Sequence, residues 1–237
     1  MENVTRHAYL DLYPVDPNST RVVVGTIHPH DEENFFLPFF YGNKMSLWKM
    51  LNLATNGELN DPNFTPVGNN RVFRERDGFE HRITLDSILR FLRAKRISMS
   101  DAVRECRRPG SVWADAELIP TRLNVELVDQ IRDSQISEVL FMSGFGKTNA
   151  FKLFYVDVLR QKITPEIRAR REVVCPPEIF GRPVKFSILY SPSGAANVAI
   201  AQSPEYRAVK ARYSSSATPV RDFKIEYYRR KFSLDAK

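Results

Sequence analysis

The sequence predicts an α/β protein organised around a mainly parallel sheet. Three runs of β-branched and other apolar residues, each followed by a loop with glycine or serine, are typical of buried strands: Arg21–Gly25, Glu138–Met142 and Val184–Tyr190. Segments with apolar residues at helical spacing separate these runs, and strands that alternate with helices indicate βαβ units whose sheet is covered on both faces. Because ligands bind at the carboxyl ends of such strands, we expect the loops after Val24, Met142 and Tyr190 to converge.

Helical periodicity of apolar residues occurs at several places between and around these strands. It predicts helices at Leu47–Leu53, Leu85–Leu92, Ser100–Cys106, Val125–Arg132 and Asn149–Leu159. Ser46 and Thr84 are placed to cap the first two of these helices. Residues 56–81 are rich in Asn, Gly, Pro and Arg, which predicts an irregular insertion or a small hairpin.

Length and composition limit the class of protein. A chain of 237 residues with 43% apolar side chains can bury a proper core, which excludes disordered and collagen-like classes. The longest apolar runs fall far short of the roughly 20 residues that a bilayer requires, and the N-terminus lacks an apolar leader segment. Cys106 and Cys175 are too few for a disulfide framework, a four-thiolate zinc site or an iron–sulfur cluster. We therefore expect a soluble, cytoplasmic protein without a secretory signal. We also expect a monomer that does not associate with a membrane.

The charge balance points to a polyanionic partner. Lys and Arg number 35 against 28 Asp and Glu, so the net charge is 35 − 28 = +7. The basic residues cluster at 90–96, 168–171 and 229–231, a distribution that nucleic-acid-binding proteins tend to have. A generally basic surface is the alternative.

The loop after the first strand contains Gly25, Thr26, Ile27 and His28, and an aromatic run follows it at Phe35–Tyr41. His28, His30 and the nearby carboxylates could ligate a metal, but their spacing matches no strong zinc motif, so no metal is expected. The aromatic side chains either sandwich a planar base or pack the core.

Two further loops are candidates for ligand contact. Ser143–Thr148 ends in Gly-Lys-Thr before a helix, but the first glycine of a Walker A loop is replaced by Phe141, which argues against a nucleotide triphosphatase. The N–H groups at the start of the following helix still offer an anion site. Ser191–Asn197 is a tight, stiff turn of small residues and one proline, able to press into a narrow space.

Together these loops resemble the uracil-DNA glycosylase superfamily, in particular its mismatch-specific and hypoxanthine-DNA glycosylase branches. The resemblance spans roughly residues 20–212 and rests on the order of its segments: VVVGTIHP with the later FFYGNKMSLWKML, then ISMSDAVRECRRPGSVWAD, EVLFMSGFGKTNAFKLF and SILYSPSGAANVAI. It implies one three-layer α/β/α domain over residues 1–237 with a four-stranded, mainly parallel sheet. Residues 56–81 would be an insertion and residues 214–237 a basic C-terminal extension.

The resemblance also implies an activity, hydrolysis of the N-glycosidic bond of a damaged or mismatched base flipped out of double-stranded DNA, without a cofactor. Extrusion costs a few kcal/mol, least for a mispaired base. The base leaves as an anion and the sugar becomes cationic, so the site needs donors near the base and a polar group that positions water. An unrelated α/β hydrolase is less favoured, because the chain has no Gly-x-Ser-x-Gly elbow.

The catalytic residue departs from the family pattern. His28 stands where many members have Asn or Asp before the proline, and Met45 stands where the hypoxanthine branch has an asparagine three residues before the tryptophan. Asn43 is therefore the first candidate for positioning water and His28 the second. A non-catalytic nucleic-acid-binding protein on the same fold is the main alternative.

The other roles follow from the matched segments. Base-binding residues would come from the first two loops: Gly25, Thr26, Ile27, Phe39 or Phe40, Ser143 and Gly144. The DNA-penetrating turn would be Ser191, Pro192, Ser193 and Gly194, with Ala195 or Ala196 as a small wedge. Asn197 would contact a phosphate or brace the loop, and Lys147 would lie near a backbone phosphate.

Overall fold

A computed structural model describes residues 3–30, 35–66, 72–109 and 115–234. They fall into two compact units: the first comprises Met1–Asn43 and Leu92–Tyr190, and the second Lys44–Phe91 and Ser191–Lys237. The strands are β1 (Asn3–Arg6), β2 (Arg21–Gly25), β3 (Phe73–Arg74), β4 (Glu80–His81), β5 (Ile97–Asp101), β6 (Val103–Arg108), β7 (Ile119–Leu123), β8 (Glu138–Phe141), β9 (Glu172–Cys175) and β10 (Val184–Ile188). The helices are α1 (Ser46–Ala54), α2 (Leu85–Ala94), α3 (Leu127–Arg132), α4 (Ala150–Lys152), α5 (Pro165–Arg170), α6 (Pro177–Phe180), α7 (Asn197–Ala201), α8 (Pro204–Val209) and α9 (Pro219–Lys231).

A five-stranded, mostly parallel sheet forms the centre of the first unit. Its order is β5-β2-β8-β10-β9, with β5, β2, β8 and β10 parallel and β9 antiparallel at one edge. Val23 of β2 lies opposite Met99 of β5 on one side and Leu140 of β8 on the other. The predicted α/β class with a mainly parallel sheet is confirmed, whereas the sheet has one strand more than the four that the resemblance implies.

The helix predicted at Ser100–Cys106 is wrong, because this segment forms the end of β5 and the start of β6. β6 pairs with β1 and β7 in a separate antiparallel sheet, and its register against β7 shifts on both sides of Glu105. Such a bulge breaks the alternation of side chains along a strand. Val103 and Cys106 are consequently both buried three residues apart, the spacing that imitates a helix.

The predicted helix at Asn149–Leu159 is present as α4 followed by a π-helical segment, Leu153–Val158. It contributes Phe151 and Phe154 to an aromatic core cluster with Phe141 of β8 and Phe186 of β10. These rings are fully buried and fix the helix against the strand that precedes its loop.

The second unit contains α1, most of α2, the β3–β4 hairpin and the C-terminal helices α7 to α9. Within 56–81, where the sequence left an irregular insertion or a small hairpin open, the strands β3 and β4 form a two-stranded hairpin. The Thr84 cap is also present, because Thr84 Oγ1 accepts from Ser87 N at 3.1 Å. Ser46, in contrast, is the first residue of α1, and the residue before it, Met45, has a left-handed φ of 55°. Among the described residues, no helix combines the length and apolar character that a membrane crossing requires.

Candidate active site at the carboxyl edge of the sheet

The loops after β2 and β8 lie side by side in the first unit, as the parallel sheet predicts. Met142 N donates to Val24 O at 3.0 Å, and beyond the strands the Thr26 and Ser143 hydroxyls are 3.3 Å apart. β5 ends at the same edge, because Ala102 N donates to Gly25 O at 2.9 Å. Residues of three strands therefore meet around Gly25.

Gly25 lies under two polar side chains. A Cβ at this position would be 2.3 Å from Asp101 Oδ1 and 2.6 Å from the Tyr41 hydroxyl oxygen. Tyr41 reaches this place from a left-handed backbone conformation with φ of 57°, which is uncommon for an aromatic residue. Strain of this kind is often found at functional sites. A carboxylate and a phenol therefore approach the backbone as closely as only glycine permits.

His7 holds the Asp101 carboxylate in place. Its Nε2 is 2.8 Å from Asp101 Oδ2, and its Nδ1 accepts hydrogen bonds from the backbone N–H groups of Tyr9 and Leu10. Because Nδ1 acts as an acceptor, the ring proton is on Nε2 and is donated to the carboxylate. Both side chains are almost completely buried.

Asp115 is the more accessible carboxyl group of this cluster: 43% of its side-chain surface is exposed, although the carboxyl itself is closely surrounded by protein atoms. Burial of the carboxyl raises the pKa of Asp115 to about 6, Asp101 adds to the shift, and Arg108 opposes it. The Arg108 guanidinium is 3.7 Å from Asp115 Oδ1, and the Thr26 side chain hydrogen-bonds to the same carboxyl. Burial, Asp101 and Asp115 raise the pKa of the Tyr41 phenol well above its ordinary value, so this group remains a neutral donor.

The arrangement can perform acid–base chemistry near neutral pH. Asp115 changes its protonation state close to pH 6, while Asp101 is engaged by His7 and Tyr41 keeps its proton. Within the described part of the chain, no group of three or more His, Cys, Asp or Glu side chains is arranged to hold a metal ion.

The two predicted catalytic residues differ in their surroundings. His28 is only 6% exposed, its Nε2 accepts from Ala8 N at 3.0 Å, and its Nδ1 donates to Pro29 O at 2.7 Å. Both ring nitrogens thus serve the backbone, which favours a structural role. Asn43 is half-buried in the turn that follows Tyr41 and Gly42. Its assignment stays a prediction.

The residues predicted to bind the base are mostly core residues. Phe39 and Phe40 are each 1% exposed and pack edge to face against each other, with Phe39 also on Tyr13 and Phe40 beside His7. Ile27 is buried as well. The burial of these side chains favours the alternative that they pack the core rather than stack on a base.

The loop Ser143–Thr148 satisfies its own backbone donors. Ser143 Oγ accepts from Ala150 N at 2.8 Å, and the Asn149 amide, oriented by the donors around it, accepts from the N–H groups of Gly144 and Gly146 at 3.2 and 3.3 Å. This internal capping competes with the anion binding that the sequence left open. Lys147 is exposed on the same loop.

The predicted DNA-penetrating turn belongs to the second unit. Gly194 and Ala195 are exposed at its tip, Pro192 is buried, and the Ser191 hydroxyl bonds to that of Ser193 at 3.2 Å. A Cβ on Gly194 would meet no atom within 4 Å. Asn197 begins α7 and accepts a hydrogen bond from Lys224 through Oδ1.

Sequence reasoning missed the polar residues that surround Gly25: His7, Tyr41, Asp101, Arg108 and Asp115. Asp101 had a usable signal, because it ends an alternating run that begins at Ile97 and could have been recognised as a strand.

Comparison of the chain with protein-family models found no match, and comparison with curated proteins found none.

Proposed function

We propose that this chain is a monofunctional DNA glycosylase that removes a damaged or mismatched base, of the uracil, hypoxanthine or mismatched-thymine type, from double-stranded DNA. The observation that carries the proposal is the Asp115 carboxyl, with its pKa of about 6, beside Asp101 and Tyr41 at the carboxyl end of β2. We also propose that helices and sheet form a three-layer α/β/α arrangement. The net charge of +7 and the clustered arginines would attract DNA.

In this proposal Asp115 positions the attacking water. Water adds to the sugar C1′ as the glycosidic C–N bond breaks, the bonding electrons leave with the base, and the proton of the water passes to the Asp115 carboxylate. An ionised carboxylate also stabilises the positive charge that develops on the sugar. Tyr41 would donate a hydrogen bond to the departing base or the sugar. Asp115 thereby takes precedence over Asn43 and His28 as the catalytic candidate.

Asn43 keeps a secondary place in the proposal. It follows Tyr41 by two residues, so its amide can contact the sugar or the water without a change of protonation. His28 would have a structural role, since its Nε2 accepts from Ala8 N and its Nδ1 donates to Pro29 O.

The second candidate is a nucleic-acid-binding protein without catalysis. It is favoured by the engagement of His28 with the backbone and by the burial of Phe39 and Phe40, which removes the expected stacking surface. The basic charge would serve both functions equally.

A single-turnover base-release assay separates the two. Duplexes carrying uracil, hypoxanthine, xanthine or a G·T mismatch are incubated with excess protein, and free base is measured. We expect release from at least one duplex, a loss of roughly 10²–10³ in rate for Asp115→Asn, and a smaller loss for Asn43→Ala. Lys162→Met, which removes one exposed charge, serves as the control. Specific binding without release from any duplex would support the non-catalytic alternative.

A further inference from the structure

Lys224 is a buried lysine in the second unit that binds the turn Ser191–Asn197. It lies on α9 and is 3% exposed. Its Nζ donates to Pro192 O at 2.9 Å, to Ser193 O at 3.1 Å and to Asn197 Oδ1 at 3.1 Å. The three donors of an ammonium group are thus matched by three acceptors, all of them from this one turn.

This lysine has no carboxylate partner in the described part of the chain. Its burial costs free energy that an ion pair would offset, and burial lowers the pKa of Lys224 to about 8. If this position only had to fill space, methionine or leucine would do so at a similar volume without the free-energy cost of desolvating a charge. What the ammonium provides is a fixed position for two carbonyl groups and one amide.

The turn that Lys224 binds has an apolar, exposed tip. Gly194 and Ala195 are exposed, and Val198 on the first turn of α7 is 71% exposed, which is high for a large apolar side chain. Apolar side chains that enter a DNA groove act as wedges between base steps, and the wedge must be held rigidly to separate them. Val198 is a larger wedge than Ala195 or Ala196.

We propose that Lys224 is a positioning residue, which holds Ser191–Asn197 in a preformed shape so that its tip and Val198 enter DNA when a base is flipped. The inference rests on the proposed function for its DNA role, whereas the holding of the turn can be tested on the free protein.

The first measurement is hydrogen exchange of the free protein. Lys224→Met replaces the ammonium by an apolar group of similar length, and we expect the amides of 194–197 to exchange at least tenfold faster while those of β2 and β8 stay unchanged. Lys162→Met, with the same change of net charge, should behave as the wild type. Asn197→Ala removes one acceptor and should loosen the same amides less, and it serves if Lys224→Met does not fold. Unchanged exchange in the turn overturns the inference.

The second measurement is discrimination between DNA duplexes. Binding is compared for a duplex with a tetrahydrofuran abasic analogue and for an undamaged duplex of the same sequence. We expect Lys224→Met to reduce the ratio of the affinities for the abasic and the undamaged duplex at least tenfold. Its affinity for undamaged DNA should stay the same. A structural role alone would lower both affinities together. If the wild type neither prefers the abasic duplex nor releases a base, the glycosylase proposal fails. If the wild type does both and Lys224→Met equals it, the positioning role fails and the glycosylase proposal stands.

Discussion

Because the Lys224 ammonium is buried, we expect this group to make the second unit more stable as the pH rises in the alkaline range. The pKa of Lys224 is lowered to about 8 in the folded protein from its ordinary value of 10.5, so between these values the unfolded chain binds the proton and the folded chain does not. The free energy of unfolding contributed by this group therefore rises with pH through that window. Below pH 8 the full cost of the buried charge is present.

The size of the effect follows from the two pKa values. The difference of 10.5 − 8 = 2.5 corresponds to a ceiling of about 3.4 kcal/mol at 1.36 kcal/mol per pKa unit. About 2.5 kcal/mol of it should be gained between pH 7 and pH 10. The Lys224→Met variant lacks this group, so the unfolding free energy of the wild type minus that of the variant should increase by that amount between pH 7 and pH 10.

Urea denaturation at pH 7, 8, 9 and 10 measures this difference. Trp48 in α1 is fully buried in the same unit, so fluorescence in a Trp113→Phe background reports unfolding there. Tyr213, whose pKa is raised to about 12, destabilises both proteins alike at high pH and cancels in the comparison. Parallel curves for wild type and variant would refute the reasoning, because the lysine would then have the same pKa folded and unfolded.

Three further changes address the candidate site and the turn. Gly25→Ala places a Cβ 2.3 Å from Asp101 Oδ1, so we expect a loss of about 1–3 kcal/mol in thermal denaturation together with loss of base release, and an unchanged melting temperature would contradict the close approach. The single-turnover rate of the wild type should rise about tenfold from pH 5 to pH 7 as Asp115 ionises with a pKa of about 6, and a rate that falls over this range would make the group an acid instead. Gly194→Val meets open space, so its melting temperature should be near that of the wild type while base release is largely lost, and retained release would remove the turn from the DNA interface.

Strands and helices could be predicted from the sequence where the local pattern of apolar residues matches the structure that the segment forms. β2 and β8 contain continuous apolar runs, β10 has apolar residues at alternate positions, and α1 and α2 have clear periodicity, so their existence follows from the sequence alone. β5 and β6 could not be separated from a helix, because the bulge at Glu105 imposes a three-residue spacing that only the pairing with β7 explains. β9 is a short edge strand next to a basic helix, with little pattern of its own.

The sequence predicted that the loops after β2 and β8 lie together, but it did not predict which polar groups surround them. Gly25 and Thr26 follow from the rule that strand ends carry ligand sites. The groups around them come from the N-terminal segment, the turn before α1, the end of β5 and a 3₁₀ turn at Asp115–Glu117, and only the folded chain brings these segments together. Conversely, Phe39 and Phe40 have the composition of a base-binding surface, but their burial is decided by the packing of Tyr13 and His7 over them.

The two carboxylates at this edge differ in role because their surroundings differ. Asp101 has its charge compensated by the Nε2–H of His7, and the hydrogen bonds from Tyr9 and Leu10 keep that histidine in the tautomer that donates. The Asp115 carboxyl is buried, Arg108 and the Thr26 hydroxyl favour its ionisation, and the charge of Asp101 works against it. Burial contributes most to the raised pKa of Asp115 and the nearby Asp101 carboxylate adds to it, which brings Asp115 into the range in which it can exchange a proton with water. A substitution that removes His7 or Asp101 therefore acts on Asp115 without touching it, which makes the cluster a single functional unit.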